Sequence, residues 1–476
     1  EVRREEERMV QPVYSSLKMV STCERVTSLL LLSLINMATM WDRYSTAGVL
    51  ISIEDYYSIS DATAGLLQTF FTVVYIAMSI LLIYLGDRFN RRFLVLLTGW
   101  IWLIFVAASS FIPSNLFPLF LALRSLSAIA DSTIIIIAPT MISDLFVGKP
   151  RAYALTIFYM FISVGISIGL VVGTIFIQIQ ADWQWSLRIV PLVGLPVMIL
   201  STIFLKDPVR GGLEEKVTGQ NEEAPSFLEN IKVILPIKTY WFATGALVCF
   251  NFVNRANSWW QTTLMQNGIT ATNGTNAWHG VTLPEMQSVI SVAGIITGLV
   301  VAPAIVYLSG RWRDGLIPFC CFSPPSPRSS SLTAAILSAI GVPCTFLYVW
   351  GTGHDAYLSM TGAILTGVCN AAMMPLALET ILNVVPPLQR GAACALLQLI
   401  QSATGDAPAP AIIGAISDAI RGDSDDDASR WTGLSTALYF SIGVSAFTSL
   451  FMFVSAIFFP ADSLEGKKRE EYEDVK

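Results

Sequence analysis

Apolar runs of about 20 residues recur along the chain, each ended by glycine, proline or charge, and nothing else in the sequence constrains the fold as tightly. A bilayer core offers no water to a peptide group, so each segment must satisfy its own N–H and C=O groups, which a helix does. Hydropathy predicts twelve such helices, near 26–50, 64–85, 93–112, 116–146, 152–178, 187–205, 238–262, 283–309, 332–350, 356–384, 391–420 and 435–459. Of the 476 residues, 53% are hydrophobic and only 13% charged. A soluble domain carries roughly 25% charged residues, so this chain has too little polar surface to coat a large one. The expectation is an all-α membrane protein.

The polar stretch between the sixth and seventh spans divides the chain. Residues 1–25 read as a cytosolic tail, 26–205 as a first six-helix bundle, 206–237 as a cytosolic linker, 238–459 as a second bundle and 460–476 as a cytosolic tail. With both termini inside, Arg88, Arg91, Arg92, Lys149, Arg151, Lys206, Arg210, Lys216, Arg311, Arg313, Arg390 and Lys467 to Arg469 all face the cytosol. Only Arg188, Arg421 and Arg430 then fall outside, as the positive-inside rule requires. The same topology puts a glycosylation sequon, Asn273-Gly274-Thr275, in an external loop. Short echoes relate the halves: Tyr84-Leu85-Gly86-Asp87-Arg88-Phe89 matches Tyr307-Leu308-Ser309-Gly310-Arg311-Trp312, and Asp42-Arg43 matches Asn254-Arg255. Repeats of this kind enclose a central cavity between two bundles.

The net charge of −6 lies in tails and loops such as Asp423 to Asp427 and does not suggest a nucleic-acid partner. The seven cysteines show no CxxC spacing, and the two histidines, His279 and His354, fall in separate loops, so neither a disulfide framework nor a metal site is predicted. No cofactor motif and no nucleophile with a histidine partner appears, which argues against an enzyme. No cleavable signal peptide is visible, and the absence of an initiator Met predicts a native beginning upstream of Glu1.

Charge inside a span costs at least a few kcal/mol and therefore faces a partner or a watery cavity. Asp42, Arg43, Arg124 and Asp131 stand out, and are read as the proton-coupling and substrate-binding residues. At 1.5 Å per residue, Asp42 lies roughly 24 Å up the first span and Arg124 roughly 12 Å down the fourth, nearly level. Arg124 and Asp131 are two turns apart, so the expected arrangement has Asp42 and Asp131 competing for Arg124, with protonation of either releasing it. The plain alternative is a static charge cluster that fixes helix packing. Arg255, Glu379 and Asp406 are further candidates for the cavity, Asp406 at a bend between Gly405 and two prolines.

In the loop after the second span, Gly86, Asp87, Arg88 and Arg92 offer an acid for a helix N-terminus and bases for Asp144, a set able to lock one conformation. Gly165, Gly169 and Gly173 strip one flank of the fifth span, permitting close helix approach. Trp259 and Trp260 read as an interfacial belt.

Several segments together resemble the major facilitator superfamily and, within it, the Spinster family of lipid transporters. They are Trp41-Asp42-Arg43-Tyr44 with Ala47-Gly48-Val49-Leu50, Gly65-Leu66-Leu67-Gln68-Thr69, Leu85-Gly86-Asp87-Arg88-Phe89-Asn90-Arg91-Arg92, and Ser109-Ser110-Phe111-Ile112-Pro113. Further on come Ala138-Pro139-Thr140 with Asp144-Leu145-Phe146, Ile157-Phe158-Tyr159, and Gly405-Asp406 leading to Ile413-Gly414 and Ile416-Ser417-Asp418. The resemblance implies the major facilitator fold and proton-linked export of lysophospholipids or sphingoid lipids such as sphingosine 1-phosphate, from lysosomes or across the cell surface. It also implies that Asp42, Arg43, Arg124 and Asp131 occupy the family's coupling and binding positions. The chain departs from the pattern at Asp131, where glutamate is usual, at Ile83, where the superfamily's loop signature has glycine, and in the seventh span.

The expected partners are a lipid substrate, protons and the bilayer, with the protein acting as a monomer. Tyr472-Glu473-Asp474-Val475 has the form of an endolysosomal sorting signal. Competing readings are a small organic-anion or sugar symporter of the same fold, and a membrane scaffold or sensor that does not transport.

Overall fold

The computed structural model describes residues 21–146, 149–179, 182–207, 227–273, 277–278, 280–315, 326–386, 389–422, 424 and 426–473. They form a succession of helices: α1 Thr22–Gly48, α2 Leu50–Tyr57, α3 Asp61–Arg88, α4 Arg91–Ser109, α5 Phe117–Leu126, α6 Ala128–Leu145, α7 Lys149–Gln178 and α8 Gln184–Phe204. After α9 (Phe227–Ile234) come α10 Lys238–Asn273, α11 Leu283–Ile296, α12 Ala302–Arg313, α13 Ser329–Gly351, α14 Ala356–Asn370, α15 Met373–Leu382, α16 Arg390–Gln401, α17 Ala409–Arg421 and α18 Asp427–Glu473. A two-stranded hairpin, Ala277–Trp278 against Val281–Thr282, lies between α10 and α11. Widened turns join α11 to α12 at Thr297–Val301 and α16 to α17 at Ser402–Asp406.

Local chemistry sets the helix starts. Ser21 and Glu24 cap α1 reciprocally, and these bonds hold the Glu24 carboxyl below its ordinary range. Asn90 Oδ1 accepts from the Phe93 amide at 3.0 Å to open α4, and Asp355 Oδ1 accepts from the Tyr357 amide at 2.7 Å to open α14. Several boundaries differ from the hydropathy reading: α9 falls inside the stretch read as linker, α10 runs on to Asn273, the residue expected in an external loop, and α18 runs from Asp427 through the tail to Glu473.

Among the described residues, nine helices are long and apolar enough to cross a membrane. The long helices that fall short are α1, α10 and the α16–α17 pair, which carry Asp42 with Arg43, Arg255 and Asp406 respectively. The polar centre of the molecule is thus built largely from its least apolar helices.

Apolar packing forms three clusters. One fills the first bundle around Leu32, Trp102 and Phe158, and another the second bundle around Tyr240, Leu376 and Met452. The third spans both halves, joining Leu50, Ile53 and Leu67 to Trp260, Leu264 and Ile413. Trp259 and Trp260 are buried in it, and the Trp260 indole N–H donates to the Pro410 carbonyl at 3.1 Å. They are therefore core residues of this joint and not the interfacial belt their pairing predicts.

Candidate transport site

The glycine flank of α7 fixes the position of α1. A Cβ on Gly169 would fall 2.6 Å from the Trp41 carbonyl oxygen, and one on Gly173 would fall 2.8 Å from Gly48 backbone, so only glycine lets the two helices approach this closely. That contact aims the other side of α1 at α4, α5 and α6. Asp42 is held there on three sides. Arg124 Nη1 donates to its Oδ1 at 2.7 Å, Arg124 Nη2 donates to its backbone carbonyl at 3.1 Å, and Trp102 Nε1 donates to Oδ2 at 3.1 Å. Arg124 also donates to the Thr46 hydroxyl.

Asp131 has its own arginine. Arg43 Nη1 pairs with Asp131 Oδ2 at 3.3 Å, Thr39 Oγ1 donates to Oδ1 at 3.4 Å, and Arg43 is steadied by Gln68 Oε1 at 3.4 Å and by the Phe71 ring at 4.5 Å. The expected contest of two acids for Arg124 is therefore absent from this structure. Adjacent residues of α1, pointing about 100° apart, serve successive levels of the fourth span, so each carboxylate has a separate cation.

The pairs also differ in access. The Arg124 and Asp42 side chains are 4% and 2% exposed, sealed from solvent and cavity alike, which contradicts the expectation that water or cargo reaches them. Arg43 is 10% exposed but its partner Asp131 only 2%, as closed as Asp42, whereas a third pair, Arg255 Nε with Asp406 Oδ1 at 3.7 Å, is 19% and 16% exposed. Arg255 Nη1 also donates to the Tyr44 hydroxyl at 2.9 Å, linking α10 to α1 across the two halves. Asp406 sits at the end of the widened turn that replaces the expected bend. A loosely held, partly open arginine can exchange its carboxylate for an incoming anion, whereas the buried Arg124, which donates three bonds, cannot do so without loss.

A cavity of about 230 Å³ opens beside Tyr44, between α1, α7, α10 and α11. It shares Ser258, Gln261, Ile290 and Gly294 with a second cavity of about 350 Å³ inside the second half.

Other candidates lie elsewhere. Glu379 is not in the cavity: it accepts from Arg313 and, at 2.9 Å, from the Ser330 hydroxyl near the predicted cytosolic end of the tenth span. Asp144 is bound at 2.7 Å by Arg91, while Arg92 donates to the Thr202 carbonyl at 2.6 Å. Gly86 and Asp87 close α3, but their surroundings, like the side chain of the sequon residue Asn273, lie outside the described residues.

A profile of the Major Facilitator Superfamily matches residues 32–323. "Protein spinster homolog 1" of Xenopus tropicalis is 30% identical over 468 residues, 95% of this chain and 84% of the relative. The chain belongs to the spinster family of this superfamily. It is an integral membrane transporter and not an enzyme. The mouse "Sphingosine-1-phosphate transporter SPNS2" is 28% identical over 445 residues, covering 92% of this chain and 78% of the relative. Among solved structures, a bacterial homologue of the human lysosomal transporter Spinster, in an inward-facing and unoccupied conformation, superposes with a TM-score of 0.74 at 20% identity. That superposition covers 93% of this chain and 99% of the other.

In this spinster-family chain, one functional element escaped the sequence reading. The N-terminus of α3 is capped from the other half: Asp418 accepts from the Asp61 amide at 3.1 Å and the Ala62 amide at 2.8 Å. Ser417 and Arg421 then bind the Asp61 carboxylate at 2.6 and 3.2 Å. The backbones touch, for a Cβ on Gly414 would fall 2.3 Å from the Asp61 carbonyl oxygen. Asp61 and Asp418 are 357 residues apart, and no local pattern announces their meeting.

Proposed function

We propose that this transporter carries anionic amphiphiles, lysophospholipids or phosphorylated sphingoid bases, by alternating access coupled to protons. Arg255, partly exposed between Asp406 and Tyr44, itself a wall residue of the smaller cavity, is the observation that carries the reading. The name of the mouse relative supports a phosphate-bearing lipid. On this reading α1, α10 and α16–α17 cross the bilayer with the nine more apolar helices, completing two six-helix bundles, and the protein works as a monomer.

Headgroup and proton act on opposite members of the same pairs. An anion at Arg255 displaces Asp406, and a proton on Asp406 releases Arg255, so each favours the other by linkage. The same exchange at Arg43 and Asp131 requires a conformation that opens Asp131, whose side chain is 2% exposed here. Cargo and proton then travel in one direction, which suits export from an acidic lumen to the cytosol better than export across the cell surface. The sealed Asp42–Arg124 pair acts here as a fixed strut between α1 and α5.

Flux of labelled lysolipid into proteoliposomes, with the pH gradient imposed in each direction, tests the proposal. Uptake should accelerate when protons run with the lipid, and Asp131→Asn should flatten the pH dependence while the protein remains folded. Flux indifferent to the gradient would remove proton coupling. Transport of sugars or small organic anions without lysolipid would replace the cargo.

A further inference from the structure

We infer that the second half of the chain holds a neutral subsite for a hydroxyl-rich group esterified to the anionic phosphate of the cargo, of the inositol, glycerol or glycosyl class. The inference rests on the anionic-lipid reading above and specifies its headgroup. Among the described residues, no Asp, Glu, Lys or Arg lines either cavity, and the larger presents Asn254, Asn257, Gln261, Thr366 and Asn370. A quaternary ammonium group would look for a carboxylate or an aromatic cage. Here the only aromatic walls of the larger cavity are Phe250 and Tyr348.

Four residues that line these cavities each carry a buried polar atom, closed off in this structure, with no partner among the described residues: the Tyr348 hydroxyl and Asn257 Oδ1 in the larger cavity, Gln287 Nε2 and Ser291 Oγ in the smaller. Tyr348, Gln287 and Ser291 are 3%, 0% and 8% exposed. Buried groups left unpaired are costly, and a ligand that offers both donors and acceptors returns what they lack. Sugars and polyols do so at every carbon. The cavities meet at Gly294, where nothing lies within 4 Å of the place a Cβ would occupy. Since Tyr44 lines the smaller cavity and binds Arg255, a phosphate at Arg255 lies one side chain from this neutral space, which its ester substituent can enter.

The full chain in nanodiscs tests the subsite. Lysophosphatidylinositol and lysophosphatidylmethanol of equal acyl length carry the same single charge and differ only in the polyol. The inositol lipid should bind at least about ten-fold more tightly, the worth of two neutral hydrogen bonds. Tyr348→Phe and Ser291→Ala should each cut that ratio by about three- to five-fold without changing the affinity for the methyl lipid. Both variants delete atoms with no protein partner, so the ligand-free melting temperature should stay level or rise. Gly294→Leu, which fills the junction, should abolish the preference. Equal affinities in the native chain, or a preference that survives Gly294→Leu, would overturn the subsite. If neither lipid binds, the lipid reading fails, and the soluble glycerophosphoinositol against methyl glycerophosphate then decides the subsite. A thermal shift with the inositol compound alone supports it, and no shift with either overturns it.

Discussion

The two ends of the molecule are tied in different ways. At the end that carries Asp61 and Arg421, hydrogen bonds and ion pairs cross between the halves. Asp418 caps α3, Ser417 and Arg421 hold Asp61, and Arg430 reaches Asp55 at 3.2 Å. The Thr69 hydroxyl donates to the Ala407 carbonyl at 2.7 Å just below, and one apolar cluster continues across the joint. At the opposite end the pairs Arg91–Asp144 and Arg313–Glu379 each stay within one half, over apolar cores that remain separate. Bonds across the halves fix their relative orientation, while bonds within a half keep that half rigid. The positive-inside assignment expects the cross-linked end to be external, and on that expectation the structure is outward-closed.

Substitutions should separate these roles. The largest effect is expected from Gly414→Leu, whose side chain has no space against the Asp61 backbone. Closure of the outer end should fail, and a cysteine placed at Ser258 should react with an impermeant thiol reagent from outside at least about a hundred-fold faster, as for a population shift of several kcal/mol. Asp418→Ala should act in the same direction with less force. It removes two charge-assisted caps and the Arg421 contact, about 2 kcal/mol, which corresponds to roughly a thirty-fold shift in the same labelling rate. Unchanged labelling in both variants would show that the cross-half bonds do not hold the conformation. Arg91→Ala should instead lower the melting temperature by the loss of about 1 kcal/mol in a partly buried pair, with labelling unaltered. Arg313→Ala, on a more exposed pair, should cost about 0.5 kcal/mol or less.

The apolar runs and charge asymmetry made the membrane class legible, because a backbone in lipid has few ways to satisfy itself. The glycine spacing of α7 was equally readable, since residues four apart share a helix face and α1 does lie against them. Charge in the spans identified Asp42, Arg43, Arg124, Asp131, Arg255 and Asp406 as residues needing partners. It paired Asp42 with Arg124 correctly, but it gave Arg124 a second acid, Asp131, that Arg43 takes instead, and it placed Glu379 in a cavity it does not reach. Partner choice depends on rotation and height of one helix against another, quantities absent from a hydropathy profile. The polarity of Asn257 and Gln261 was visible in the seventh span, but their enclosure with Tyr348 was not.

That this chain is helical, membrane-embedded and forced to pair its buried charges is already written in its residues, because those properties follow from the chemistry of each segment in lipid. Which charge meets which, that Asp418 caps a helix 357 residues away, and that the cross-half bonds among the described residues gather at the Asp61 end are settled by how the helices pack. Those outcomes arise from contacts between segments remote along the chain, whose free energy belongs to no single segment.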